Sequence, residues 1–113
     1  MSCLFCKIVG KEIPATVVAE NDDALAFRDI HPAAPTHVLV IPKKHIGSVA
    51  EMGSDDAALL GRLVLFASEV AKKEGIGETG FRLVNNTGPN AGQSVFHLHW
   101  HVLGGRGMSW PPG

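Results

Sequence analysis

The chain has 113 residues, 45% of them apolar and 19% charged, which is room for one domain (1–113) with a real core and no disorder signature. A net charge of −1 excludes the basic footprint of a protein that grips polymeric nucleic acid, and no like-charge block marks a membrane surface. No apolar run is long enough to cross a bilayer. Residues 1–11 lack the apolar stretch of a secretory leader, so a cytoplasmic location is expected.

In chain order, Cys3-Leu4-Phe5-Cys6 comes first: a C-x-x-C pair in a chain with no other cysteine. Residues 16–20 and 24–28 are β-rich runs separated by Asn21-Asp22-Asp23, which predicts a hairpin. Residues 37–41, bounded by Pro35 and Pro42, are apolar after the first position, as a central strand requires. A helix is expected over about 55–74. Ser54 is its candidate N-cap, acidic residues open it, Lys72 and Lys73 close it, and Gly75 can take the left-handed conformation beyond it. Leu59, Leu60, Leu63, Val64, Ala67, Val70 and Ala71 form its apolar face. Strands follow at 81–85 and 97–103. Without repeated βαβ units, the pattern reads as α+β: a mainly antiparallel five-stranded sheet with one long helix and short helices packed on it.

Strand 97–103 reads His-Leu-His-Trp-His-Val-Leu. Alternation puts His97, His99 and His101 on one face and Leu98, Trp100 and Val102 on the other. Three readings of the imidazole row are open: a chance pattern on a solvent face, a metal site, or nucleophilic catalysis by one imidazole with its neighbours assisting. The loop 86–94 just upstream favours the third. Gly92 allows close backbone approach, and the N–H groups of Gln93, Ser94 and Val95 could cradle an anion, although the Walker ending is missing.

The run His97-Leu98-His99-Trp100-His101-Val102-Leu103 fits His-φ-His-φ-His-φ-φ, where φ is apolar, and so resembles the signature of the histidine triad superfamily. The resemblance extends to Leu4-Phe5, to residues 26–30 and 35–45, to Gly92-Gln93-Ser94-Val95 and to Trp110-Pro111-Pro112-Gly113. The Trp-Pro-Pro-Gly run and the short chain look most like the Hint branch of nucleotide-binding phosphoramidases. That likeness implies a hydrolase in which His99 attacks the α-phosphorus of a purine nucleoside 5′-phosphoramidate or aminoacyl adenylate. His101 would bind the phosphoryl oxygens, His37 would orient the triad, and Ser94 would lie by the leaving group.

It further implies that Asp29 accepts from the ribose hydroxyls and that Phe5, Ile8, Phe27, Ile30 and Leu39 line the base pocket. Asn86 would touch the phosphate or the 5′-oxygen. A homodimer with a continuous sheet is implied, its C-terminal tail with Trp110 reaching toward the partner's site. A non-catalytic nucleotide-binding interaction protein is the alternative. For the cysteines, two thiolates are half of a tetrahedral zinc site, and free thiols are the plain alternative. Bacterial-type relatives carry structural zinc, and the likeness maps its ligands to Cys3, Cys6, His45 and His97. No metal is then required for catalysis. His31 is left without a role.

Overall fold

The computed structural model describes residues 3–113. A short helix α1 (Leu4–Val9) leads into strands β1 (Val17–Glu20), β2 (Ala24–Arg28) and β3 (Thr36–Pro42). Two single 3-10 turns precede the long helix α2 (Ala57–Lys73), and strands β4 (Phe81–Val84) and β5 (Trp100–Gly104) complete the sheet. The strand order is β1-β2-β3-β5-β4, and every neighbouring pair is antiparallel. This is the α+β arrangement expected from the pattern. No helix among the described residues is long and apolar enough to cross a membrane.

The central strands β2 and β3 are buried on both faces, so the alternation of their side chains separates two cores. Ala24, Ala26, Val38 and Val40 face α2, where Leu63, Phe66, Ala67, Val70 and Ala71 meet them. Leu25, Phe27, Leu39 and Ile41 face the other way, toward Phe5 and Ile8 of α1. Leu98 and Val102 join the α2 side. The α1 side of the sheet is the one that carries the site.

Three sequence expectations change. The long helix opens through a 3-10 turn at Ser54–Asp56, and Ser54 is not its cap. Instead the Asp56 carboxylate accepts from the Gly53 N–H at 3.0 Å, reaching back as the acidic half of a capping box does. Phe66 fills the apolar stripe beside Leu63, while Leu60 and Val64 are only half-buried. At the other end Gly75, with φ of 79°, takes the left-handed conformation anticipated for it.

The third change concerns the histidine run. Ladder pairing covers only Trp100–Gly104, so His97, Leu98 and His99 lie ahead of the strand, with the chain bending at His97. Their alternation survives because packing enforces it: Leu98 enters the α2 core while the rings of His97 and His99 both meet Phe5. Leu98 is 1% exposed, so its truncation leaves a cavity beneath the site. Leu98→Ala should destabilise the protein by about 2–5 kcal/mol. Urea unfolding checks this as a lower midpoint at unchanged slope.

Candidate active site

A cleft of about 670 Å³ opens on the α1 face of the sheet. Its floor is Phe5, Ile8, Phe27 and Leu39, and its polar end is Ser94, Val95, His99 and His101. Asp29 and Ile30 stand on one side. The structure thus brings together most of the residues singled out above. Register accounts for the central ones: Phe27 pairs with Leu39, and Leu39 pairs with His101 across the neighbouring ladder. Directly opposed residues share a face, and His37, two positions from Leu39, lies diagonal to His101 on that same face.

The hydrogen bonds fix where each imidazole keeps its proton. His99 Nδ1 lies 2.8 Å from the carbonyl oxygen of His97. A carbonyl can only accept, so Nδ1 carries the hydrogen and Nε2 keeps a bare lone pair. The Ala33 N–H donates to His37 Nδ1 at 2.9 Å, which places the His37 hydrogen on Nε2. That N–H donates to His101 Nδ1 at 2.8 Å. His101 therefore carries its hydrogen on Nε2, an atom that is buried with no partner within the protein among the described residues. The cleft so presents a nucleophilic nitrogen on one ring and a donor on the next, the two ring centres 5.1 Å apart.

Burial keeps this chain uncharged. It lowers the His37 pKa against the opposing pull of the Asp29 carboxylate. It brings His101 down to about 4, with His99 and His37 lowering it further and Asp29 opposing. Asp29 itself accepts from the His31 N–H through Oδ1 at 2.8 Å, and its Oδ2 is 3.4 Å from His37 Nε2.

Not every expected residue lines the cleft. Asn86 and Gly92 do not, although Asn85 donates from Nδ2 to the His99 carbonyl oxygen at 3.0 Å. The Gln93 N–H is taken by the Gly88 carbonyl at 3.1 Å, so the anion cradle loses that member. Its side chain is buried and ties the loop together, donating to the Gly47 and Val95 carbonyls and accepting from the Gly88 N–H. Gly92, with φ of 80°, ends a 3-10 turn instead of approaching the cleft. Trp110 is 81% exposed and outside the cleft of its own chain.

Sequence reasoning missed Ile13, Pro14, Ala15 and Thr16, the linker that forms one wall, and His31 at the rim. Arg28 also borders the cleft, but its guanidinium is held bidentately by Glu74 at 2.6 and 3.1 Å. Arg106 was missed as well: it donates to the Ala33 carbonyl at 2.9 Å, steadying the peptide whose neighbouring N–H orients His37.

A second constellation adjoins the first. Cys3, Cys6, His45 and His97 bring their donor atoms within 4.8 Å of one another. His97 Nε2 donates to the Pro42 carbonyl at 2.8 Å, leaving Nδ1 bare toward the cluster. From Nδ1 it is 3.3 Å to Cys3 Sγ, 3.6 Å to Cys6 Sγ and 3.2 Å to His45 Nδ1, and Cys6 Sγ is 3.3 Å from His45 Nδ1. A tetrahedral zinc with ordinary bond lengths gives ligand–ligand edges of about 3.6 Å for N to S and about 3.3 Å for N to N. The donor set and its spacing fit that ion. A carbonyl behind the histidine is the outer partner that such a ligand normally has.

The buried imidazoles predict acid sensitivity. His37 and His101 hold folded-state pKa values below the ordinary imidazole value, so below about pH 6.5 the unfolded chain binds more protons. Their contribution is intact above that point and is lost as the pH falls toward 4. Tm should fall between pH 7 and pH 5, and His101→Asn should flatten that slope. Thermal melts across the range check it.

A model of the HIT domain matches residues 10–108. An uncharacterised HIT-like protein of Synechocystis is 56% identical over 110 residues, 97% of this chain and 96% of the relative. The 14 kDa zinc-binding protein of Zea mays is 53% identical over 112 residues, 97% of this chain and 87% of its own. Among solved structures, a HIT family hydrolase from Legionella pneumophila superposes with a TM-score of 0.97 at 54% identity, covering 99% of this chain and 100% of that one. With the family model, the similar sequences and the similar fold all spanning nearly its whole length, this chain belongs to the HIT family.

Proposed function

We propose that the protein is a nucleotidyl hydrolase that cleaves the bond to the α-phosphate of purine nucleoside 5′-phosphoramidates or aminoacyl adenylates. The observation that carries this reading is the bare Nε2 of His99 beside the buried, unpartnered Nε2–H of His101. A nucleophile and a phosphoryl-oxygen donor are the two parts that such a transfer needs. That a similar protein from Legionella is named a hydrolase supports the class.

In this reading the base lies among Phe5, Ile8, Phe27, Ile30 and Leu39, and Asp29 accepts from the ribose hydroxyls. His99 Nε2 forms a bond to phosphorus as the bond to the amine or carboxylate breaks. The amine takes one proton from solvent as it leaves, a carboxylate takes none, and the hydrolytic water later returns one proton to solvent. His101 Nε2–H holds a phosphoryl oxygen throughout, and Ser94 adjoins the departing group. Water then displaces His99 and releases the nucleoside monophosphate. The homodimer belongs to the same proposal: β4 ends the sheet with an open edge for a second copy, and the tail with Trp110 is free to reach across.

Rapid-quench mixing with labelled adenosine 5′-phosphoramidate should trap a nucleotidyl-enzyme. His99→Ala should abolish the trapped species and lower turnover by more than about ten-thousand-fold. Nucleotide binding without any trapped intermediate would favour the non-catalytic interaction protein instead.

We also propose that Cys3, Cys6, His45 and His97 hold a structural zinc, which four protein ligands leave without an open position. A zinc-binding relative in Zea mays supports it. The purified protein should contain about one zinc per chain. Cys6→Ser should lose it and melt lower, as metal analysis and calorimetry can show.

A further inference from the structure

Asp29 sits where two tasks meet, and ribose recognition uses only one of them. Its Oδ1 closes a turn on the His31 N–H, and its Oδ2 lies 3.4 Å from His37 Nε2. That nitrogen carries the hydrogen donated to His101 Nδ1 at 2.8 Å. One N–H thus faces two acceptors, a near imidazole nitrogen and a more distant carboxylate oxygen. Asp29, His37 and His101 bring their donor atoms within 4.8 Å of one another.

We propose that Asp29 is a positioning residue for phosphoryl transfer, acting through His37 on His101, in addition to any contact with the sugar. The carboxylate, 3.4 Å from His37 Nε2, sets a negative charge beside the His37–His101 pair and opposes burial at both rings. That charge favours the cationic form of the pair, so positive charge can build on His101 as negative charge develops on the phosphoryl oxygens that its Nε2–H holds. The groups that face the chain are few. His99 stands on the other side of His101, and the Ala33 N–H occupies the far nitrogen of His37. Asp29 is the group whose charge opposes burial at both His37 and His101.

The inference rests on the proposed hydrolase for its kinetic test and on nothing but the fold for its spectroscopic one. Asp29→Asn keeps an oxygen to accept from the His31 N–H, removes the charge and sets an amide N–H2 in place of the oxygen opposite His37 Nε2–H. The kinetic probes are adenosine 5′-phosphoramidate and its 2′,3′-dideoxy analogue, which has no sugar hydroxyl for Asp29 to hold. With the chain acting as proposed, Asp29→Asn lowers kcat by roughly tenfold on both substrates, one pKa unit's worth of interaction, and raises KM on the ribose substrate alone. Ring NMR of the ligand-free protein should show the His37 titration midpoint falling by about one unit in the variant. An unchanged dideoxy kcat together with an unchanged His37 midpoint would overturn the proposal and leave Asp29 a sugar ligand only. If the wild-type protein turns over neither substrate, it is the hydrolase reading that fails, and the His37 midpoint alone decides the role of Asp29.

Discussion

The hydrogen bond from His37 Nε2 to His101 Nδ1 is the contact on which the site depends. His37 is buried and His101 half-buried, so an unmade bond there would leave two largely desolvated nitrogens. Because the Ala33 N–H already fixes the far side of His37, the proton positions along the chain have a single solution. Burial keeps both rings neutral near pH 7, which is what allows one to donate to the other. Protonated rings would turn nitrogen against nitrogen.

A second line of force runs through His97. Its ring faces the cysteines while its backbone carbonyl holds His99 Nδ1–H. Phe5, between the two cysteines in sequence, meets both rings edge-on, with centroids 5.9 Å from His97 and 5.3 Å from His99. Whatever fixes α1 and His97 therefore also fixes the orientation of His99. The first histidine of the run serves the other two by position, with its ring turned toward the cysteines.

How much of this the sequence discloses depends on the range of the interaction. Alternation is local, so the division of residues 97–103 into an imidazole face and an apolar face is legible, even where no ladder forms at His97 and His99. Leu39 and His37 share a face for the same reason. Gln93 is different: its role as a buried knot depends on the Gly47 carbonyl, 46 residues away, and no local pattern announces that. The wall at 13–16 and the rim at His31 likewise follow from how α1 and β1 are docked. Arg106 bonding to Ala33 joins segments 73 residues apart. The start of α2 differs for a finer reason: a 3-10 turn at Ser54–Asp56 precedes the helix, so Ser54 lies ahead of the cap position while the Asp56 carboxylate holds the Gly53 N–H.

Charge gives the cleft its last distinguishing property. Among the described residues that line it, Arg28 is the one arginine and is neutralised by a bidentate bond to Glu74, and none is a lysine. A phosphoryl group entering here meets N–H and O–H donors instead of free cations: His101 Nε2–H and the Ser94 hydroxyl. Neutral donors compensate a single negative charge well and a run of them poorly, because each further charge must be partly desolvated without a counterion. Under the proposed reaction, this favours a singly charged phosphoramidate or acyl adenylate over a polyphosphate chain. The lack of a net basic charge in the composition thus recurs, inside the cleft, as a physical reason for preferring one phosphate over several.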